Sequence, residues 1–400
     1  MAETLLAVEE ALARILAGSS RLGEETVPLS AAAGRTLAAE VAALRTQPAF
    51  DCSSMDGYAV RAAEVAEGRR FRVIGTSAAG TGFSGTVGPG EAVRIFTGAP
   101  LAEGADAVIA QEDSSRDGDV VTFTEVAQPG KFVRRAGLDF RAGEVLLPAG
   151  RRIGPREVAL AAAMGHAGLT VARKPRVALL ATGDELVPAG TAAGPHQIPS
   201  SNLPALAAMT GMEAAQTIDL GIAADTSAAL LDALERARAA RADVLVTLGG
   251  ASVGEHDLVR QTFAGAGMRL DFWRIAMRPG RPMMHGAIGG MRFLGLPGNP
   301  VSAIVCARLF LRPLLRALQG RTDVGDTPEP AILASDLPAN DRRQDYLRAR
   351  RSNGDGTVTP MPMQDSSMLR ALADADCLII RPPNAPAAKA GDQVEILQLD

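Results

Sequence analysis

The chain has 400 residues, with 45 acidic and 41 basic side chains and a formal net charge of −4. This balance excludes a nucleic-acid binder that relies on a basic surface, and aromatic residues at 4% are too few for base-stacking platforms. No apolar run approaches the ~20 residues that span a membrane. The three cysteines lie too far apart for a disulfide framework or a zinc site. We therefore expect a cytoplasmic protein that binds neither nucleic acid nor membrane.

The first part of the chain predicts a partly helical domain interrupted by a β-rich insert. Apolar residues at helical spacing predict a helix from about Thr4 to Gly18, and a second helix is expected over Ser30–Ala43. Short β-type runs among dense Gly and Pro then continue to about Arg135, and a helix is expected over Pro155–Met164. We therefore predict a discontinuous first domain over residues 1–46 and 139–174, with an inserted β-rich domain over 47–138.

Strand–helix alternation begins at Pro175. Apolar runs at 177–181, 215–220, 244–248 and 293–296 read as strands, and helices are expected at 203–209 and 226–240, the latter capped by Asp225. A last helix is expected from the Asn299 cap and Pro300 to Gly320. The pattern predicts a multidomain α/β protein with a doubly wound parallel α/β domain over 175–326. Residues 327–400 return to short strands and predict a small C-terminal β-barrel.

Two of the predicted strands run directly into loops rich in Gly and Pro. Val244–Leu248 leads into Gly249–Asp257, and Phe293–Leu296 leads into Pro297–Pro300. Ligands of open α/β sheets bind outside the carboxyl ends of the strands, so we expect these two loops and the basic turn Arg278–Pro282 between them to converge on one pocket. Glycines let backbone amides approach an anion, but this loop matches neither the P-loop nor the dinucleotide fingerprint.

Acidic and basic residues flank the same region. Glu185, in Thr182-Gly183-Asp184-Glu185, is a candidate Mg²⁺ ligand, although a solvated loop explains it equally well. Asp225 is open to the same two readings, since it is also a good helix cap. Arg278 and Arg281 in a stiff Pro-rich turn, with Arg274 nearby, could bind phosphate or another oxyanion bidentately, or could pair with neighbouring acids.

Taken in order along the chain, these stretches resemble the molybdopterin molybdenumtransferase family, the MoeA-type proteins and the E domain of gephyrin. The resemblance rests on seven stretches: SSMDGYA at 53–59, FTGAPLAEGADAVI at 96–109, AGLDFRAGE at 136–144, LATGDEL at 180–186, LGGASVGEHD at 248–257, RPGRP at 278–282 and GLPGNPVSA at 295–303.

The resemblance implies an elongated homodimer whose active site lies between the α/β domain of one subunit and the first part of the other. It also implies a reaction: molybdenum from molybdate is inserted into adenylylated molybdopterin with Mg²⁺, and AMP is released. The molybdopterin adenylyltransferase that supplies the substrate is an implied partner.

The resemblance assigns roles position by position. The implied catalytic acids are Asp56, Asp139, Asp225 and Asp257; the implied Mg²⁺ ligands are Glu185, Asp225 and Asp257. The implied substrate-binding residues are Thr97, Gly249, Gly250, Ser252, Gly254, Arg274, Arg278, Arg281, Pro297, Asn299, Pro300 and Ser366. One departure is that the family often has lysines where this chain has the three arginines, which keeps the charge but replaces a point charge with a planar fork.

Two alternatives stay open at this point. The α/β domain also resembles enzymes that adenylylate molybdopterin and competence-damage-type nucleotide hydrolases, but the SSMDGYA stretch and the insert have no place in them. The gephyrin E domain also acts as a scaffold that binds receptor tails. The presence of all five acids, at 56, 139, 185, 225 and 257, favours an enzyme.

Overall fold

The first helix forms where apolar residues recur on one face. The computed structural model describes residues 5–250, 258–352 and 354–399. The helix Val8–Leu16 buries Val8, Ala11 and Ile15 against the core of the α/β region. The neighbouring Leu6 forms a parallel bridge with Ile275. This helix therefore packs on the α/β region.

Segments on both sides of residues 47–138 share one core. Strand Glu24–Pro28 pairs antiparallel with Gly168–Ala172, and Val41–Ala42 pairs with Val145–Leu147. The helix predicted at 155–164 is present as Pro155–Ala163. The helix predicted over residues 30–43 was wrong, because only the turn Leu29–Ala31 is helical. Tertiary pairing overrides the local propensity here, since Thr36 and Leu37 form isolated bridges with Arg152 and Val171.

Residues 47–138 contain a six-stranded mixed sheet. Its strands, in spatial order, are Ala107–Ala110, Gly57–Val60, Glu91–Ile95, Arg70–Ser77, Val120–Phe123 and Ser114–Asp117. A separate short pair joins Cys52–Ser53 to Val133–Arg134. Tyr58, Phe71 and Phe123 pack together on one face of the sheet. The β-type runs predicted in this stretch are confirmed as strands.

The α/β region has one central six-stranded sheet. Its strands, in spatial order, are Gln216–Ala223, Arg176–Thr182, Val244–Leu248, Met291–Leu296, Pro282–Ile288 and Met268–Arg274. The first four strands are parallel, as predicted, but Pro282–Ile288 is antiparallel to both of its neighbours, so the prediction of a parallel sheet was wrong at this side of the sheet. The reason is local: the two-residue turn at Gly289, with φ of +62°, is far too short for a crossover.

Helices cover both faces of this sheet. They are Asn202–Met212, Ser227–Ala239, Leu258–Gly265, Pro300–Cys306 and Arg312–Leu318. The last two are joined by the π-helical segment Ala307–Leu311, which precedes Pro313, a residue with no backbone N–H to donate. The predicted punctuation is confirmed: Pro300 is the first helical residue and Gly320 follows the end with φ of +70°.

The C-terminal region is a third mixed sheet. Its strands, in spatial order, are Met277–Arg278, Gln344–Arg351, Cys377–Arg381, Gln393–Gln398 and Glu329–Ile332, with Val358–Pro360 added beside Gln344–Arg351. A short helix, Leu369–Ala373, lies between its strands in sequence. The first of these strands belongs to the predicted basic turn, which therefore joins the two regions. The predicted closure into a barrel stays a prediction. None of the described helices has the length and apolar character that crossing a membrane requires.

Candidate functional site

The parallel strands of the central sheet end side by side. Ala181 is in register with Leu248, and Leu248 is in register with Leu296, so the residues that follow all three strands meet at one edge. A cavity of about 680 Å³ lies at this edge, which we call the strand-end cavity. Its position is the one that the sequence predicts for a ligand in an open α/β sheet.

The strand-end cavity gathers seven of the predicted site residues. They are Glu185, Asp225, Gly249, Gly250, Pro297, Asn299 and Pro300. Ser367 lines the cavity, and the neighbouring Ser366 accepts a hydrogen bond from the Asn299 side chain at 2.8 Å. The predicted residues Ser252, Gly254 and Asp257 lie outside the described residues.

The two glycines are required by the backbone of the turn. Gly249 has φ of +94° and Gly250 has φ of +67°, the left-handed region that favours glycine. A Cβ at Gly249 would lie 2.6 Å from the carbonyl oxygen of Thr182, and one at Gly250 would lie 2.3 Å from a methyl of Val259. Any side chain at either position would collide with its neighbours, so the bare backbone borders the cavity.

Carboxylates crowd one wall of this cavity. Burial and the nearby carboxylates of Asp184 and Glu185 raise the pKa of Asp225 above its ordinary value. The predicted role of Asp225 as a helix cap was wrong: Thr226 is the N-cap, and its hydroxyl accepts from the amide of Ala229. A competing structural explanation for Asp225 is thereby removed.

Unpartnered polar atoms mark the same wall. The hydroxyls of Thr182 and Ser200 and the amide oxygen of Asn202 are buried and, within the described part of the chain, have no hydrogen-bond partner. All three residues line the strand-end cavity. A buried polar atom without a partner is costly unless a ligand or water satisfies it. Sequence reasoning missed these residues, because Ser and Asn ahead of a helix read as ordinary capping residues.

A metal ion fits this donor set only in part. Carboxylate oxygens are the donors that Mg²⁺ prefers, and the mutual repulsion of these acids would be relieved by a cation. Across residues 5–250, 258–352 and 354–399, however, no group of three or more His, Cys, Asp or Glu side chains is placed to hold a metal. Glu185 and Asp225 therefore supply part of a site, and the predicted third ligand, Asp257, is not among the described residues.

The three predicted arginines do not share one cavity. Arg278 pairs with Asp345 of the C-terminal sheet, with Nε 3.0 Å from Oδ1, and borders a cavity of about 330 Å³. Arg281 borders another cavity, of about 430 Å³, and the guanidinium of Arg274 lies 4.7 Å from the ring centre of Trp273. Of the turn itself, only Pro282 reaches the strand-end cavity.

The residues predicted in the first part of the chain are also separate from the cavity. The Asp56 carboxylate accepts from both the amide and the hydroxyl of Thr97, each at 2.7 Å, and the Thr97 bonds hold the pKa of Asp56 below its ordinary value. Asp139 is exposed, and its amide donates to the carbonyl of Gln47. None of the three acts as a wall of the strand-end cavity in a single chain.

Arg348 is a further residue that the sequence did not reveal. It is fully buried, and its Nη2 donates to the carbonyls of Met363 and Asp365, each at 3.1 Å. Its Nε and Nη1 have no partner among the residues that the structure describes, and burial lowers the pKa of this guanidinium. Arg348 thus anchors the segment that carries Ser366 and Ser367 to the cavity, with two donors left over.

Comparisons with known proteins agree with this geometry. Family models for the MoeA N-terminal region (domains I and II), a probable molybdopterin-binding domain and the MoeA C-terminal region (domain IV) match residues 6–165, 178–317 and 330–399. The chain is 36% identical to molybdopterin molybdenumtransferase 2 of Mycobacterium tuberculosis over 384 residues, which cover 94% of this chain and 95% of that protein. It is 34% identical to the molybdopterin molybdenumtransferase of Haemophilus influenzae, with 93% of each chain covered.

The fold shows the same relationship. The structure of a molybdopterin biosynthesis MoeA protein from Pyrococcus horikoshii OT3 superimposes on this chain with a TM-score of 0.86 at 27% sequence identity. The superposition covers 99% of this chain and 100% of that one. The chain has the MoeA multidomain fold, and the resemblance seen in its sequence is confirmed. The chain therefore belongs to the molybdopterin molybdenumtransferase family of enzymes.

Proposed function

We propose that this enzyme inserts molybdenum from molybdate into adenylylated molybdopterin, with the assistance of Mg²⁺, and releases AMP to form the molybdenum cofactor. The observation that carries this proposal is the strand-end cavity, where crowded carboxylates, bare glycine backbone and unpartnered polar atoms meet. A phosphorylated ligand with a divalent cation satisfies all three features together.

Each wall of the cavity has its own role. Gly249 and Gly250 leave room for phosphate oxygens to approach the backbone. Ser252 and Gly254, which follow them in the sequence, are proposed to bind the substrate from the family resemblance alone. Pro297, Asn299 and Pro300 also line the cavity, and the side chain of Asn299 donates to the hydroxyl of Ser366. Glu185, Asp225 and Asp257 would hold Mg²⁺, which when bound supplies positive charge against the developing charge on the phosphates.

Molybdate would bind near the basic turn, as a substrate. Arg274, Arg278 and Arg281 provide positive charge, and Arg278 would exchange its carboxylate partner Asp345 for the oxyanion. The leftover donors of Arg348, which holds the segment beside Ser366, add to the positive potential in this part of the molecule.

A second copy of the chain would complete the site. Asp56, Thr97 and Asp139 lie apart from the strand-end cavity of their own chain, so their predicted catalytic and substrate roles require a homodimer. The Asp56 carboxylate is already oriented by Thr97 and kept ionised, as a group acting across an interface needs to be. The substrate would come from a molybdopterin adenylyltransferase, in the cytoplasm.

The decisive experiment measures AMP release from adenylylated molybdopterin with Mg²⁺, with and without molybdate, in the absence of ATP. We expect release that depends on molybdate. Omitting Mg²⁺ tests the metal separately. A folded dimer that binds the substrate but releases no AMP would overturn the proposal.

A further inference from the structure

The main chain that carries Asp56 is held on both sides of this residue. Gly57 begins the strand Gly57–Val60 and is buried. A Cβ at Gly57 would lie 1.9 Å from the carbonyl oxygen of Ile109, so the chain packs too closely here for any other residue. The carbonyl of Asp56 itself accepts from the amide of Gln111 at 2.9 Å. The direction in which the Asp56 side chain leaves the sheet is therefore set by these main-chain contacts.

The guanidinium of Arg94, on the adjacent strand, joins the same contacts. Its Nη1 donates to the carbonyl of Gly57 at 2.9 Å, and its Nη2 donates to the side-chain oxygen of Gln111 at 2.6 Å. The same group lies 5.3 Å from the ring centre of Tyr58 and 4.8 Å from that of Phe96. Two hydrogen bonds and two aromatic rings fix the plane of a guanidinium, which a lysine could not reproduce.

Arg94 also places a positive charge near the carboxylate. The hydrogen bonds from Thr97, and then the charge of Arg94, hold the pKa of Asp56 below its ordinary value. Thr97 bonds the carboxylate directly, whereas the hydrogen bonds of Arg94 go to Gly57 and Gln111. Arg94 therefore acts on Asp56 from behind, through the main chain and through its charge.

We propose that Arg94 is the positioning residue of Asp56, because its two hydrogen bonds fix the main chain from which this acid reaches the substrate. This inference rests on the proposed function, in which Asp56 acts across the interface of a homodimer. An acid supplied by a second chain is not aligned by the walls of the strand-end cavity, so its alignment has to come from its own domain. The contacts of Arg94 supply that alignment.

A double-mutant cycle tests whether Arg94 acts through Asp56. The assay is AMP release from adenylylated molybdopterin with Mg²⁺ and molybdate. We expect Arg94→Gln to lower kcat by about tenfold or more with KM little changed, since misplacing a catalytic group costs on that order. In an Asp56→Asn background, where the charge is already gone, the same change should have less than about a twofold further effect. Arg72→Gln, which removes a surface ion pair with Glu91 in the same sheet, is the control and should keep kcat.

A second variant removes one bond of the guanidinium without touching the core. Gln111 is exposed, and Gln111→Ala keeps the main-chain bond to Asp56. We expect a smaller fall in kcat, by about twofold to tenfold, which corresponds to one hydrogen bond and should again vanish in the Asp56→Asn background. The exposed neighbour Glu112, changed to Ala, is the control.

Two results of these assays would overturn the proposal. One is a wild-type kcat in folded Arg94→Gln and Gln111→Ala proteins, with thermal unfolding as the check of folding. The other is a loss that is equally large with aspartate and with asparagine at position 56, because such a loss has a structural cause and does not pass through the carboxylate.

A titration of the free enzyme separates this inference from the proposed function. NMR of the full chain with isotopically labelled aspartate follows the ionisation of Asp56, whose signal is the one that Asp56→Asn removes. Arg94→Gln removes a nearby positive charge and loosens the loop, so the pKa of Asp56 should rise, whereas Arg72→Gln should leave it unchanged. An unchanged pKa in Arg94→Gln would overturn the positioning role even if the wild type releases AMP. A raised pKa would support that role even if the wild type releases no AMP and the proposed function fails.

Discussion

Two groups of charged residues in the α/β region differ in how their charges are compensated: one pairs opposite charges, and the other brings like charges together. At the end of the helix Asn202–Met212, the buried Glu213 carboxylate is bonded by Arg312, by Arg316 at 3.0 Å and by Arg321 at 2.8 Å. At the strand-end cavity, Glu185 and Asp225 line the wall, the amide of Asp225 donates to the carboxylate of Asp184 at 3.1 Å, and the charges of Asp184 and Glu185 act on Asp225 with the same sign as its own.

The pKa values express this difference. Burial alone would raise the pKa of Glu213, but the hydrogen bonds from Arg316 and Arg312 outweigh it and hold that pKa below its ordinary value. The pKa of Asp225 is instead raised by burial and by its acidic neighbours. Charges that are paired and bonded serve the architecture, whereas like charges held together at a cavity indicate a ligand.

The largest effect should come from breaking the paired cluster. Glu213→Gln removes the negative charge that compensates three buried guanidinium groups, so we expect a loss of about 3–5 kcal/mol in the free energy of unfolding, measured with urea. The control is Glu235→Gln, which removes an exposed ion pair with Arg238 and should cost less than about 1 kcal/mol. Equal losses in both variants would contradict the comparison.

Lowering the pH should remove the stabilising contribution of Glu213 to this cluster. Because the pKa of Glu213 is lowered in the folded state, its contribution to stability is fully present above its ordinary pKa, and it is lost as the pH falls through the lowered value. The stability difference between wild type and Glu213→Gln should therefore stay constant from neutral pH to about pH 5 and shrink below about pH 4. Urea midpoints measured across this range check the sign, and a difference that grows on acidification would contradict it.

Substituting Asp225, beside Asp184 and Glu185, should lower the activity of the enzyme without lowering its stability. Asp225→Asn removes a proposed Mg²⁺ ligand, so we expect AMP release to fall on the order of 100-fold. Because the raised pKa means that the fold disfavours the ionised carboxylate, the amide should leave the unfolding temperature unchanged or slightly higher. Asp232→Asn, an exposed change on the helix that follows, is the control and should keep full activity. An Asp225→Asn protein that unfolds early would mean that the acid serves the architecture.

The strands that lead into the cavity could be predicted from the sequence, because each is an apolar run that ends at Gly or Pro. Val244–Leu248 was predicted to the residue, and the convergence of its loop with Pro297–Pro300 followed from the parallel order of the strands. The strands at 268–274 and 282–288 were not predicted, so their antiparallel pairing was missed as well. Only the two-glycine turn at Gly289 and Gly290 carried that information.

Other features could not be read from the sequence at all. Whether Asp225 or Thr226 caps a helix depends on which side chain turns back to the amide of Ala229, a matter of one residue. The lack of a partner for Thr182 or Ser200 is a property of the packed cavity wall, which no local pattern encodes. The pairing of Arg278 with Asp345 joins residues 67 positions apart and depends on the docking of the C-terminal sheet.

The smallest effect should have an unusual sign. Thr182 is 5% exposed and its hydroxyl has no partner within the described residues, whereas the hydroxyl of the fully buried Thr210 bonds the carbonyl of Ala207 at 2.9 Å. Thr→Val keeps the volume and removes the hydroxyl in both cases. At position 210 it should cost about 1 kcal/mol, because a made hydrogen bond is lost.

At position 182 the same change removes an unsatisfied group, so the free enzyme should be equally stable or up to about 1 kcal/mol more stable, by urea unfolding. Substrate should bind Thr182→Val more weakly, because the hydroxyl would find its partner only in the complex. Destabilisation at 182 as large as that at 210 would show that the hydroxyl already has a partner in the free protein. A Thr182→Val enzyme that is more stable but binds its substrate more weakly would show that the Thr182 hydroxyl lowers the stability of the free enzyme and strengthens substrate binding.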